Sequence, residues 1–148
     1  MKCKYNGCSR LSVLNIPNSV TSIGSYAFYG CKSLTSVTIP DRLQLIDNAV
    51  FWGCSGLRSV VIPNMVEVIG ERAFQDCSSL TSVSIGELVD SIAYAAFAAC
   101  KSLTSVTFPD SVRVIGNLAF TDCIQLAGGH RNSVLDRRRA TYGRHRRC

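Results

Sequence analysis

The chain has 148 residues, 47% of them hydrophobic and 18% charged, which suits one compact domain or one short repeat array rather than a disordered segment. Polar Ser, Thr, Asn or Asp interrupts every apolar run before it reaches the roughly 18 to 20 residues of a bilayer span, so no membrane span is expected. The net charge of +6 lies entirely in residues 127–148, where seven arginines face one aspartate; residues 1–126 hold nine basic and nine acidic side chains. An electrostatic case for nucleic acid or an anionic surface therefore applies to the tail alone.

At the N-terminus, Met1 to Gly7 carries two lysines with no apolar stretch after them and does not read as a secretory signal. A cytoplasmic location is the default expectation, unless the chain is a fragment of something longer. From there a repeat governs the sequence. Cys8, Cys31, Cys54, Cys77, Cys100 and Cys123 follow one another at steps of 23 residues. The same step carries a leucine column from Leu11 to Leu126, a column with Leu14 then Val37, Val60, Val83 and Val106, and a column with Ile16, Ile39, Ile62, Ile85 and Phe108. Proline closes each of these stretches at Pro17, Pro40, Pro63 and Pro109, with Gly86 as the exception. Val20, Leu43, Val66, Val89 and Val112 come next, then an isoleucine column from Ile23 to Ile115, then a small residue and Phe, as in Ala73-Phe74. Five full units run from Cys8 to Asp122, and Tyr5, in the phenylalanine column, places the start inside an incomplete unit.

The stretch L-x-x-V-x-I matches the strand signature of leucine-rich repeats. Alternation in a strand turns Val37 and Ile39 inward and Ser36 and Thr38 outward. Proline removes a backbone donor and forces a turn, and the Val and Ile three apart then form a second inward edge. Phe followed three residues later by Cys has the spacing of one helical turn, which predicts a short helix or 3₁₀ turn there. One coil alone buries too little to offset the ordering of its backbone, so stability must come from stacking, with each inward column meeting its copy about 4.8 Å away. The expected fold is a repeat solenoid: a right-handed leucine-rich-repeat array over residues 1–126, with a parallel β-sheet on one face, helical or 3₁₀ turns opposite, and a disordered arginine-rich tail over 127–148.

The pattern L-T-S-V-T-I-P-D, then V-x-x-I-G and A-F-x-x-C, resembles the BspA-like class of leucine-rich repeats over residues 5–126. That resemblance implies a non-catalytic protein-binding or adhesion module of the kind found on microbial surfaces, and a cell-surface location if the chain is a fragment. The chain departs from the class in showing no signal segment and in its arginine tail.

Chemistry has little to build on. Only Cys3 and Cys8 lie near each other in sequence, so zinc-type spacing is lacking, and the repeat cysteines read as a ladder of buried thiols, with bridging between coils as the alternative. Both histidines, His130 and His145, fall in the tail, and neither catalytic nor cofactor-binding motifs occur, so no enzyme, metal or cofactor is expected. The outward strand positions of the central coils are Thr35, Ser36, Thr38, Arg58, Ser59, Val61, Thr81, Ser82 and Ser84. In related horseshoe solenoids this face is the contact surface for a protein partner; equally, Ser and Thr can serve only solubility and β-propensity. Arg58 and Val61 break the hydroxyl pattern and mark the central coil. Trp52 is the lone tryptophan, in a column shared with Tyr29, Gln75, Ala98 and Thr121; the pair Tyr29 and Trp52 reads as a stacked binding hot spot or as a structural cover. The tail offers nucleic-acid or anionic-surface attachment, or a basophilic-kinase target at Arg138-Arg139-Ala140-Thr141, as the alternative function. Neither end of the array carries an obvious cap, which predicts either end-to-end self-association or membership of a longer array.

Overall fold

The computed structural model describes residues 7–126. Tyr5, Cys3 and the tail, with His130, His145 and the Arg138–Thr141 motif, lie outside the described residues.

The L-x-x-V-x-I stretches form short parallel strands on one face: β1 (Val13–Asn15), β2 (Ser36–Thr38), then, after an intervening two-residue strand β3 (Leu45–Ile46), β4 (Ser59–Val61), β6 (Ser82–Ser84) and β8 (Ser105–Thr107). Every pairing holds the repeat step, as in Leu14 opposite Val37, Val60 opposite Val83 and Val83 opposite Val106. This face is covered by two ladders, β1 with β2 and β4 with β6 and β8. The V-x-x-I edge is also a ladder. β3, β5 (Val68–Ile69), β7 (Ser91–Ile92) and β9 (Val114–Ile115) pair in parallel in that order, stacking Ile46, Ile69, Ile92 and Ile115. Between the two faces the proline carbonyl closes a turn, with the Leu43 and Val66 amides donating to Pro40 and Pro63 at 3.2 and 3.1 Å. Gly86 replaces proline in the fourth coil, where a β-carbon would run into the Pro63 carbonyl of the preceding coil.

Of the short helix or 3₁₀ turn expected on the third side, the structure has hydrogen-bonded turns and no regular helix among the described residues. In residues 72–77 the amides alternate. Those of Arg72, Phe74 and Asp76 donate along the solenoid to the carbonyls of Tyr94, Ala96 and Ala98, while those of Ala73, Gln75 and Cys77 close turns onto Gly70, Arg72 and Phe74. A helix would keep every amide within its own segment, so stacking at β spacing diverts every second one. Left-handed residues enforce the alternation, Arg72 at φ 55° and Asp76 at φ 59°, with Gly30 and Gly53 serving the Asp76 position in earlier coils at φ 69° and 75°. Such a residue at the third position is what a type II turn requires.

The interior is one continuous hydrophobic core in which the columns contact their own copies. Phe28, Phe51, Phe74, Phe97 and Phe120 stack face to face at 5.2–5.5 Å, with ring planes 4–12° or 13° apart. Cys31, Cys54, Cys77 and Cys100 are fully buried beside them, and the described cysteines are free thiols. Four of the thiols have a backbone partner: Cys54, Cys77, Cys100 and Cys123 donate S–H to the carbonyls of Phe28, Phe51, Phe74 and Phe97 at 3.1–3.3 Å. A thiol fills the column as a small apolar group and supplies a donor that alanine would lack.

Candidate functional site

The strand face collects Thr35, Ser36, Thr38, Arg58, Ser59, Val61, Thr81, Ser82 and Ser84 on three adjacent coils, and all nine are exposed. Strand alternation puts them there, since their neighbours Val37, Val60 and Val83 point into the core. Several hydroxyls are tied to the scaffold. Thr35 and Thr81 donate to the carbonyls of Ser12 and Arg58 at 2.9 and 3.0 Å, and Thr38 donates to the Asn15 side-chain oxygen at 3.2 Å. The central coil differs: Val61 is 66% exposed, between Thr38 and Ser84 in its column, and Arg58 precedes it by three residues. The face thus presents an ordered lattice of hydroxyls with one apolar and one cationic projection.

A second group forms on the turn side. Tyr29 and Trp52 meet edge to face at 5.2 Å and 76°, not as a parallel stack. Trp52 is half-buried, and its column runs along a boundary: Tyr29 is exposed and Ala98 is buried. Residues outside the expected pair complete the cluster. Tyr26 packs against both rings at 6.1 and 6.4 Å. The Arg72 guanidinium lies 5.7 Å from the Trp52 ring centre and 5.3 Å from that of Tyr94. Trp52 Nε1 donates to Asp76 Oδ2 at 2.9 Å. Tyr26 and Arg72 share the first left-handed column, in which the alternate members Ala49 and Ala95 are buried, and Tyr94 stands one position before it in the following coil. The signal that singled out Trp52, a large side chain in a column of unlike residues, also marks Tyr26, Arg72 and Tyr94. The sequence does not show that these separate columns meet.

The Cys31, Cys54, Cys77 and Cys100 thiols are chemically quiet. Burial pushes the Cys31 and Cys77 thiols above their ordinary value of 9.0 and the Cys54 thiol up to about 12. Cys100 is raised as well, by the neighbouring Cys123 thiol and by burial. A thiol held protonated is a poor nucleophile and a poor metal ligand. Among the described residues no three His, Cys, Asp or Glu side chains come together in an arrangement that could hold a metal ion, and no helix is long and apolar enough to cross a membrane.

The BspA type leucine rich repeat region matches residues 2–127, in six copies. The chain belongs to this family. Solved structures of such repeat proteins share the fold. A leucine-rich repeat protein from Eubacterium ventriosum is 31% identical with a TM-score of 0.76, over 80% of this chain and 32% of that one. The Treponema pallidum leucine-rich repeat protein is 29% identical with a TM-score of 0.66, over 94% of this chain and 73% of that one. A leucine-rich cell surface protein from Faecalibacterium prausnitzii is 32% identical with a TM-score of 0.61, over 79% of this chain and 38% of that one. The chain thus spans about a third of the length of the first of these repeat proteins. None of the curated proteins matches it.

Proposed function

We propose that this leucine-rich-repeat chain is a non-catalytic protein-binding module of the adhesion type, and that its contact surface is the strand face of the central coils. The observation that carries this reading is Val61, two-thirds exposed on the same coil as the exposed Arg58, on a face whose neighbouring threonine hydroxyls are fixed to the backbone. An exposed apolar side chain and an arginine on a rigid, otherwise polar plane form the centre-and-rim arrangement of a contact patch. Pre-ordered hydroxyls lose little freedom when a partner docks. The cell surface protein of F. prausnitzii, 32% identical, supports an adhesive role by likeness of fold and sequence. Attachment of nucleic acid or an anionic surface through the arginine tail is the other reading, and it rests on residues outside the described ones.

The test is binding to a panel of immobilised extracellular matrix and cell-surface proteins, with Arg58→Ala and Val61→Asp as variants. Each variant weakens capture about tenfold and leaves the melting temperature in place, because neither side chain belongs to the core. Capture unchanged by both variants would remove the strand face from the account. A steep fall of binding with salt that vanishes on deleting residues 127–148 would transfer the function to the tail.

A further inference from the structure

Among the described residues, every tyrosine and the tryptophan lie on the turn side: Tyr26, Tyr29, Trp52 and Tyr94. The fold does not need them there. Its aromatic core is the phenylalanine column, while Tyr26, Tyr29 and Tyr94 are 47%, 39% and 38% exposed. Apolar ring faces left in water, in the residue types that dominate binding hot spots, mark an interaction surface.

The geometry of the rings selects the kind of partner. Tyr26, Tyr29 and Trp52 are in mutual contact at 5.2–6.4 Å, so they enclose no space for a cation and do not form a cage. Their planes are inclined to one another by 42–76°, so they do not make the flat plate on which a sugar ring would lie. Tilted rings in contact leave shallow clefts between ridges. A polyproline II segment fits that relief: its pyrrolidine rings project as ridges, and it is stiff before it binds, so little ordering cost is added. The surface is itself pre-organised, with Trp52 held by Asp76 and Arg72 engaged with Trp52 and Tyr94.

Charge supplies the second element. Asp76 is exposed, and its Oδ2 accepts from Trp52 Nε1 at 2.9 Å and from Gln75 Nε2 at 3.4 Å, which fixes an exposed carboxylate beside the indole ring. Glu71 adds a second exposed carboxylate on the same coil, so the two acids outnumber Arg72 and favour a cation on the partner. We infer that the ridge of Tyr26, Tyr29 and Trp52, with Asp76 at its side, docks an extended proline-rich peptide segment that carries a lysine or arginine next to its prolines. This site lies on a different side of the solenoid from the strand face, and shares with the preceding reading only that the partner is a polypeptide.

The lone tryptophan reports on this site directly. Emission from Trp52 is followed while the full chain is titrated with a short synthetic proline-rich peptide ending in arginine, with the same peptide ending in glutamate, and with a linear oligosaccharide of N-acetylglucosamine. The expected result is a saturable change with the arginine peptide and binding ~10-fold weaker with the glutamate peptide. Tyr29→Ala weakens the arginine peptide by a similar ~10-fold factor. Asp76→Asn brings its affinity down to that of the glutamate peptide, while asparagine still accepts the Trp52 hydrogen bond and tolerates the left-handed backbone. The paired change Arg58→Ala with Val61→Asp leaves this titration unaltered, which separates it from the strand face. No saturable change with either peptide, equal affinity for both, or a response to the oligosaccharide alone would each overturn the proposal.

Discussion

Residues 72–77 hold two surfaces in six consecutive positions. Ala73, Phe74 and Cys77 are fully buried in columns of small apolar, Phe and Cys residues, whereas Arg72, Gln75 and Asp76 are partly or fully exposed in columns that change residue type, from Trp52 to Gln75 to Ala98 and from Gly53 to Asp76 to Ala99. The inward side chains meet their own copies one rung away, so a change in one coil disturbs the coil above and below. The outward ones meet solvent or a partner, and their columns are free to differ. Uniform columns therefore identify the scaffold, and irregular columns identify where this chain is distinctive.

The largest effect that contrast predicts comes from breaking the phenylalanine ladder at its centre. Phe74→Ala removes a ring stacked against Phe51 and Phe97 and should cost about 3 to 5 kcal/mol in denaturant melts. Gln75→Ala, one residue on, should cost far less than Phe74→Ala, at most about 0.5 kcal/mol, because it removes no stacked ring and Ala98 already serves that column in the next coil. Equal losses at the two positions would erase the distinction between inner and outer columns.

Alkali attacks the interior more gradually. In the fold Cys54 keeps its proton up to about 12, while the unfolded chain releases it near the ordinary value of 9.0. Above that ordinary value the unfolded state binds fewer protons than the native one, so stability falls as pH rises, and the thiol's contribution is gone once the folded value is passed. Each such thiol steepens the decline by at most about 1.4 kcal/mol per pH unit. Melts of the native chain and of Cys54→Ala across this range should show a shallower decline in the variant. Parallel curves would mean that the thiol is not held protonated by burial.

The smallest effect concerns backbone strain. Ala99 has φ 57° in a column whose earlier members Gly7, Gly30 and Gly53 are glycines at φ 69–73° or 75°. Relief of a left-handed alanine, about 1 to 2 kcal/mol, outweighs the added freedom of glycine in the unfolded chain, about 0.5 to 1 kcal/mol. Ala99→Gly should therefore raise stability by about 0.5 kcal/mol, measured as a shift in denaturant midpoint at constant slope. A lowered midpoint would show that the turn does not strain this residue.

The coil and its inward columns were legible because stacking repeats them at a fixed step, and the strand pairings observe that same step. The second ladder was visible only as an inward edge. Strands of two residues, such as Val68–Ile69, are too short to display alternation. Phe and Cys three apart fit one turn of a short helix or 3₁₀ segment, and a succession of β-turns also brings a residue inward every three positions. What separates the two is the left-handed backbone at Arg72, Asp76, Ala95 and Ala99, none of them a glycine that would have announced it. Tyr29 and Trp52 could be paired from their shared column. Their contacts with Tyr26, Arg72 and Asp76 cross between columns and depend on how the turns bend.

Thiol labelling under native conditions tests the central claim, a solenoid whose inward columns stand in register, most directly. Cys31, Cys54, Cys77 and Cys100 are fully buried, so a mass tag should leave all four untouched in the native chain and modify all four after denaturation without reductant. Rapid native labelling of the central pair, Cys54 and Cys77, or their recovery as a disulfide before reduction, would contradict the register on which the whole account stands.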